Sequence, residues 1–284
     1  MTFVKRDGDQ WTRQELERGW PLDKVPPERQ VLMSIRDLNK SFGARHILRG
    51  VDLDVYKGET LAIIGGSGSG KTTLIRHIMG MLRSDAGGVK VGDLNLNLAT
   101  PAELALYRRR LGVVFQNAAL LNSLTVLENV GLPLVEVDRL AGEEVRSRVV
   151  TALRQVFLPA EEILSLKPAS LSGGMRKRVG IARAIIQKPE IILYDEPTTG
   201  LDPVTVNGVN ELTLQLQKSL GVTSLVITHD LHAAFTIANR IAMLYKGRMI
   251  AVGSVEAIKA YQHPVLQQML TGSTTGPLTE GYSK

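Results

Sequence analysis

The sequence predicts an α/β fold built on a parallel sheet. Two apolar segments, Leu61–Ile64 and Ile191–Tyr194, are short strands of the kind that a parallel sheet buries on both faces. Further strands and helices then alternate along the chain: strands Ser224–Thr228 and Ile241–Tyr245, and helices Val204–Ser219 and Leu231–Asn239. This alternation is typical of helical crossovers between parallel strands.

Residues 1–30 differ from the remainder of the chain. Twelve of these thirty residues are charged, and three prolines interrupt any long element. We interpret this segment as an extension, with a short helix predicted over Thr12–Arg18 and with Trp11 and Trp20 beside it.

An antiparallel β segment is predicted next, from the strands Val31–Ile35 and Gly50–Tyr56. The second strand alternates apolar and acidic residues, which is typical of a half-buried strand. After the strand Leu61–Ile64 comes a glycine-rich loop, and then a helix predicted over Thr72–Leu82.

The middle of the chain, Pro101–Lys188, is predicted to be mostly helical. Breaks are expected at Pro133, Pro159 and Pro168. Near the C-terminus a hairpin turn is expected at Lys246-Gly247, and Thr271–Lys284, rich in Gly, Ser and Thr, is expected to be a mobile tail.

Composition excludes several classes of protein. The chain is 44% hydrophobic and 22% charged, which is an ordinary globular balance, and it has no cysteine, which excludes a disulfide scaffold, a thiolate metal site and a cysteine nucleophile. No apolar run approaches the ~18–20 residues that span a bilayer, and no signal segment opens the chain, so we expect a cytoplasmic protein whose membrane role is peripheral.

The net charge of +6 is spread thinly along the chain. We interpret the basic runs Arg108–Arg110 and Arg176–Arg178 as solvated faces. Contact with a membrane partner or with lipid headgroups is the alternative for both runs.

A phosphate-binding loop is the strongest motif. Residues 65–72 fit the pattern G-x-x-x-x-G-K-[ST] between a strand and a helix, the context that this motif requires. Glycines let backbone N–H groups converge on phosphate oxygens, Lys71 reaches the β- and γ-phosphates, and the Thr72 hydroxyl ligates Mg²⁺. The candidate nucleotide-binding residues are Phe42, Gly65, Gly66, Ser67, Gly68, Ser69, Gly70, Lys71, Thr72 and Thr73.

Two acidic residues follow the apolar strand Ile191–Tyr194. In the presence of a phosphate-binding loop, Asp195 is a candidate Mg²⁺ ligand, and Glu196 is a candidate catalytic base for the attacking water. Upstream of this strand, Ser172 is predicted to cap a helix that begins with Gly173 and Gly174. This helix is either a well-capped core helix or one whose N-terminal N–H groups bind a phosphate.

Together these motifs resemble the ATP-binding-cassette ATPases over about residues 31–260. The resemblance implies a head-to-tail homodimer in which each ATP lies between one chain's phosphate-binding loop and the other chain's Leu-Ser-Gly-Gly segment. The in-trans nucleotide contacts would be Ser172, Gly173 and Gly174.

Four more residues match the family in order along the chain. The resemblance implies that Phe42 stacks on adenine, that Gln116 contacts Mg²⁺ and the permease, and that Asp202 links the two sites. It also implies that His229 senses the γ-phosphate as a second catalytic residue. Taken singly, Phe42 could be core, and Gln116 and His229 could be ordinary polar loop residues.

Within the family, the chain resembles the MlaF/Mce-associated ATPases, whose transporters move phospholipid or other lipids between the membranes of a diderm envelope. This resemblance rests on Met175 in place of the usual signature Gln, on Gly200, and on the small apolar segment 117–126. Met175 lacks the hydrogen-bonding groups of Gln, which puts that nucleotide contact in doubt.

The resemblance implies a P-loop NTPase with a RecA-like core, an N-terminal antiparallel β subdomain and an inserted helical subdomain at about residues 117–180. The implied domains are an extension at 1–30, an ATPase domain at 31–260 and a tail at 261–284. The implied ligands are ATP and Mg²⁺, and the implied partners are a polytopic MlaE-like permease, an MCE-domain protein and a small STAS-type regulatory subunit.

Two other functions remain open. The same subunit could serve an importer of another cargo, such as amino acids or metal chelates. A non-transport ABC ATPase acting on DNA or ribosomes would usually carry two cassettes or a long coiled coil, and this chain has neither. We therefore expect no nucleic-acid partner and a peripheral position at the cytoplasmic face of the inner membrane.

Overall fold

A computed structural model describes Asp23 and residues 28–279 of the protein. The helix predicted over Thr12–Arg18, with Trp11 and Trp20, lies outside the described residues. The chain divides into two compact units. Of the described residues, unit 1 contains Asp23 and residues 28–57, 61–99 and 229–279, and unit 2 contains residues 58–60 and 100–228.

Unit 1 begins with an antiparallel sheet in the strand order β2-β1-β4-β5. Its strands are β1 (Val31–Phe42), β2 (Arg45–Tyr56), β4 (Ala86–Val91) and β5 (Leu94–Asn95). Ile35 pairs with Leu53 and is fully buried, so the alternation seen in the sequence gives the sheet an apolar face. The predicted antiparallel β segment is confirmed, and both of its strands are longer than expected.

The parallel part of unit 1 holds the glycine-rich loop. Strand β3 (Thr60–Ile64) pairs in parallel with β9 (Arg240–Tyr245), and β9 forms the expected hairpin with β10 (Arg248–Ser254). The helices of this unit are α1 (Lys71–Ile78), α8 (Leu231–Ile237), α9 (Val255–Ala260) and α10 (Pro264–Thr271).

The C-terminal segment packs on unit 1. The Tyr245 hydroxyl donates to the carbonyl oxygen of Pro277 at 3.1 Å, and the Leu278 N–H donates to Gln268 Oε1 at 2.7 Å. Sequence analysis predicts a mobile tail from Thr271; the structure differs, because α10 buries Val265 and Leu266 and residues up to Thr279 contact it. The Gly- and Thr-rich composition gave no sign of these hydrogen bonds.

Unit 2 contains three parallel strands in the order β6-β7-β8: β6 (Leu111–Val114), β7 (Ile191–Asp195) and β8 (Thr223–Ile227). Its helices are α2 (Pro101–Arg109), α3 (Val126–Glu136), α4 (Gly142–Gln155), α5 (Ala160–Ile163), α6 (Gly173–Ile185) and α7 (Pro203–Leu220), with a 3₁₀ turn at Pro168–Ser170. The parallel α/β fold is confirmed.

The middle of the chain is mostly helical, as predicted, but it also contains strand β6, whose four residues are too few to show a period. The break predicted at Pro133 was wrong. Pro133 lies inside α3 rather than at a break, close enough to the helix end for the lost N–H to disturb only one turn. Pro159 and Pro168 do mark the starts of short helical turns, as expected.

In the described part of the chain, every helix is too short or too polar to cross a bilayer.

Candidate functional site

The phosphate-binding loop of unit 1 has a backbone that only glycine can adopt at two positions. A Cβ on Gly65 would lie 2.3 Å from the carbonyl oxygen of Leu244 on β9. Gly70 has a φ of +111°, and a Cβ there would lie 2.9 Å from Leu48 Cδ2. The loop therefore lies close against β9 at Gly65 and beside β2 at Gly70, and these two positions favour glycine.

Lys71 is the first residue of α1, and its side chain bonds back to the start of the loop. Its Nζ donates to the carbonyl oxygens of Gly65 at 2.6 Å and Gly66 at 3.1 Å. Ser69 is buried, and its hydroxyl has no hydrogen-bond partner among the described residues. A buried orphan hydroxyl, a lysine in the loop and a helix N-terminus form a donor set that fits a nucleotide phosphate.

The other candidate residues of unit 1 are accessible. Phe42 ends β1 with 48% of its surface exposed, which rules out the core alternative, and its ring centroid lies 5.6 Å from Lys40 Nζ. Thr72 is exposed on the first turn of α1, and Thr73 is half-buried there. His229 is exposed and precedes Asp230, which caps α8.

His77 is a buried polar residue of α1. Its Nδ1 lies 2.8 Å from the carbonyl oxygen of Thr73. Burial lowers the pKa of His77 and the nearby Lys40 lowers it further, while the hydrogen bond to Thr73 and the charge of Asp85 act in the opposite direction. The burial of the ring therefore favours the neutral imidazole over the charged one.

In unit 2, β7 ends at the two acidic residues. Asp195 and Glu196 are both half-buried. Glu196 has a φ of +50°, a left-handed backbone that costs a non-glycine residue about 1–2 kcal/mol, and its N–H donates to the carbonyl oxygen of Ile227 at 2.8 Å. This bond and a 3.2 Å hydrogen bond from the Thr199 hydroxyl to Glu196 Oε2 fix the carboxylate at the strand end.

Gln116 follows β6, and its side chain is exposed. Its backbone carbonyl oxygen accepts a hydrogen bond from Lys177 Nζ. Lys177 is only 5% exposed, so the interpretation of Arg176–Arg178 as a solvated face was wrong for this residue. Desolvation by burial lowers the pKa of Lys177, and the charges of Asp195 and Glu196 oppose that shift.

Ser172 caps α6 as predicted. Its Oγ accepts from the Met175 N–H at 3.2 Å, and its side chain is exposed. A Cβ on Gly174 would lie 2.8 Å from Thr205 Cγ2, so this glycine lets α6 approach α7 closely. The exposed helix start retains the N–H groups of its first turn, which is the requirement for a phosphate contact.

Asp202 caps α7. It accepts from Val204 N at 3.1 Å, from Thr205 N at 3.0 Å and from the Thr205 hydroxyl at 2.5 Å. The hydroxyl bond is the main reason that its pKa lies below the usual range. Asp202 thus has a structural role in addition to the linking role expected of it.

In unit 2, Lys177 contacts the main chain of Gln116, and the charges of Asp195 and Glu196 act on its ammonium. Sequence reasoning missed Lys177 as a site residue. The signal was present but weak: Lys177 lies in the second turn of the helix that Ser172 caps, and the residues around it, Val179, Gly180 and Ile181, are all buried.

Comparison with known families agrees with this geometry. The family profile described as ABC transporter matches residues 48–199, which include the phosphate-binding loop, Gln116, the Ser172 segment and the acidic strand end. The chain belongs to the ABC transporter family. Its fold is that of the ATP-hydrolysing cassettes of this family, and it is an ATP-binding subunit.

Three relatives indicate the breadth of the family around this subunit. It is 34% identical to the "Probable ribonucleotide transport ATP-binding protein mkl" of Mycobacterium leprae, over 87% of this chain and 71% of that protein. It is 40% identical to "Methionine import ATP-binding protein MetN 2" of Listeria monocytogenes, over 81% and 67% of the two chains. It is 36% identical to "Protein TRIGALACTOSYLDIACYLGLYCEROL 3, chloroplastic" of Arabidopsis thaliana, over 87% and 76%.

A solved structure supports the fold of this ABC transporter subunit. A dimeric ATP-binding cassette in a post-hydrolysis state, bound to ADP and Pi, has a TM-score of 0.71 and is 35% identical. The match covers 78% of this chain and 98% of that one.

Proposed function

We propose that this ABC transporter subunit hydrolyses ATP as a head-to-tail homodimer and drives a separate permease that moves phospholipid or another lipid between membranes. The phosphate-binding loop is the observation that supports the nucleotide part of this proposal. Its close packing favours glycine at Gly65 and Gly70, because a Cβ there would collide with residues of neighbouring strands. The lipid part rests on the resemblance to the MlaF/Mce-associated ATPases.

Nucleotide binding begins at unit 1. Backbone N–H groups of residues 65–70 surround the phosphates, and Lys71 exchanges its bonds to the Gly65 and Gly66 carbonyl oxygens for bonds to phosphate. Phe42 offers an exposed ring for adenine. Thr73 supplies a further contact at the start of α1.

Hydrolysis depends on Glu196 as the base. Its carboxylate accepts the proton of the attacking water, and His229 contacts the γ-phosphate. The hydroxyl of Thr72, the amide of Gln116 and the carboxylate of Asp195 are the oxygen donors that Mg²⁺ prefers. Bound Mg²⁺ would neutralise charge on the phosphate oxygens.

The second half of each site comes from the partner copy. The exposed start of α6 at Ser172, Gly173 and Gly174 contacts ATP held by the other chain, and Asp202 links the two sites. The Met175 N–H donates to Ser172 Oγ. Met175 therefore supports the proposed contact of Ser172 with ATP through its main chain rather than through its side chain.

The remaining partners follow from the same resemblance. The subunit docks peripherally at the cytoplasmic face of the inner membrane on a polytopic MlaE-like permease. An MCE-domain protein and a small STAS-type subunit complete the complex. The likeness to a methionine importer subunit, at 40% identity, favours amino-acid import as the second candidate function.

Two measurements test the proposal. Lys71→Ala removes a charged phosphate contact worth about 1.5–3 kcal/mol, so ATP affinity falls at least tenfold relative to the wild type, and unchanged affinity would contradict the phosphate site. Copurification from membranes tests the cargo. An MCE-type protein beside a polytopic partner supports lipid transport, a polytopic partner alone favours import, and ribosomes or DNA would exclude both.

A further inference from the structure

Helix α6 carries three residues at three-residue spacing that contact one segment of unit 2. Lys177, Gly180 and Arg183 lie on one broad side of the helix and touch residues 116–119, which follow β6. Because α6 is the helix capped by Ser172, it connects the predicted in-trans phosphate contact to the Gln116 segment.

Arg183 holds the far end of the segment. Its guanidinium donates to the carbonyl oxygens of Ala118 at 2.7 Å and Ala119 at 2.9 Å. Ala118 and Ala119 have φ values of +56° and +47°, which an alanine adopts only under constraint. The two hydrogen bonds supply that constraint from α6.

Gly180 sets the distance between the helix and the segment. A Cβ there would lie 3.0 Å from Ala118 Cβ and 3.3 Å from the Ala118 carbonyl oxygen. The contact is with main-chain and short side-chain atoms, so neither partner can move aside cheaply. The segment therefore follows the helix closely.

Lys177 holds the near end. Burying an ammonium is costly unless a partner compensates it, and here the Gln116 carbonyl oxygen accepts a hydrogen bond from it. This cation thus joins α6 to the main chain of the Gln116 segment.

We propose that Lys177 is a positioning residue that locks the Gln116 segment to the Ser172 helix. A displacement of the Gln116 segment then moves the α6 N-terminus of the same chain, which that chain presents to the ATP held by its partner. This inference rests on the proposed function, and it adds a specific coupling of that same site.

The experiment compares full-length variants with the wild type. Lys177→Met keeps the length of the side chain but removes its charge and its donors. We expect kcat for ATP to fall at least about tenfold, the loss expected for a charged hydrogen bond, while the Kd for ATP of the isolated subunit changes less than about twofold. In the nucleotide-free chain, amide exchange should accelerate at Ala118, whose N–H donates to Phe115 O at 2.9 Å.

Two further variants and one matched control keep the test decisive. Lys177→Gln retains a donor for the Gln116 carbonyl oxygen, so we expect amide exchange at Ala118 near the wild-type rate. Its kcat should lie between that of Lys177→Met and that of the wild type. It also replaces the Met variant should that one fail to fold. Gly180→Ala disturbs the same contact without a change of charge and should lower kcat with ATP affinity retained. Arg178→Met, which removes one positive charge from the same helix, is the matched control and should change neither quantity.

The outcomes are separable. Wild-type kcat in Lys177→Met, or a parallel loss of kcat, ATP affinity and melting temperature, would overturn the positioning role. Accelerated exchange at Ala118 in Arg178→Met would also overturn it. If the wild type itself does not hydrolyse ATP, the proposed function fails, and the exchange at Ala118 still decides whether Lys177 holds the segment.

Discussion

The Thr199 hydroxyl donates a hydrogen bond to Glu196 Oε2 at 3.2 Å. Thr199 lies three residues after Glu196, in the turn that follows β7. The carboxylate is thus oriented by a neighbour that belongs to the same turn. With the left-handed backbone of Glu196 itself, this places strain and a fixed rotamer at the residue proposed as the base.

Glu196→Gln should trap an ATP-bound dimer. The amide retains the shape and an acceptor oxygen for Thr199 but has no basicity, and a general base contributes about 10²–10⁴-fold to a rate. We expect ATPase activity to fall by that factor and ATP-dependent dimer to accumulate, measured by light scattering. Asp195→Asn is the comparison, in which Mg²⁺-dependent ATP affinity falls as well as rate. Near wild-type turnover in Glu196→Gln would move the base elsewhere, first to His229.

Phe42→Ala should weaken ATP binding without lowering stability. The ring is nearly half exposed, so little core is lost, whereas stacking on adenine contributes about 1–3 kcal/mol. Titration with ATP and a thermal melt separate the two effects. Phe157→Ala, at an exposed phenylalanine of unit 2, serves as control and should leave ATP affinity unchanged. A lower melting temperature with unchanged affinity would assign Phe42 to packing.

Ser172→Arg should abolish hydrolysis while the isolated subunit still binds ATP. A bulky cation at the exposed start of α6 blocks the partner's nucleotide, whereas the phosphate-binding loop of the same chain is unaltered. Ser172→Ala removes only the cap to Met175 N, at a cost of about 0.5–2 kcal/mol, and separates helix stability from the in-trans contact. Loss of ATP affinity in the arginine variant would mean that Ser172 acts in cis.

Acid should destabilise the protein through His77. Its folded-state pKa lies below the ordinary value of 6.5, mainly because of burial, with Lys40 adding to the shift and Asp85 opposing it. The unfolded chain therefore binds the proton first, and stability present above pH 6.5 is lost as pH falls below it. Urea unfolding of the wild type and His77→Gln between pH 7.5 and 5.5 measures this, and identical slopes in the two proteins would refute it.

Local patterns predicted the elements well. The structure confirms three features that each depend on a few consecutive residues: the apolar run before Gly65, the capping of α6 by Ser172 and the turn at Lys246-Gly247. The roles assigned to the site residues remain predictions, because they depend on nucleotide and on a second chain.

Other features depend on contacts far apart in the sequence. The burial of Lys177 follows from residues about 20–60 positions away, and a helical wheel of α6 does not contain them. The C-terminal segment was missed for the same reason, because Gln268 and Tyr245 hold it through hydrogen bonds that composition does not encode.

The phosphate-binding loop also has a consequence for the order of synthesis. Gly65 lies against Leu244, and Leu278 Cδ2 would be 3.7 Å from a Cβ on Gly66, so both of these neighbours leave the ribosome long after the loop itself. At ~5–20 residues per second, the roughly 180 residues between Gly65 and Leu244 correspond to about 10–35 s of translation. During that interval the nascent chain carries the whole phosphate-binding motif without β9, the strand against which Gly65 packs.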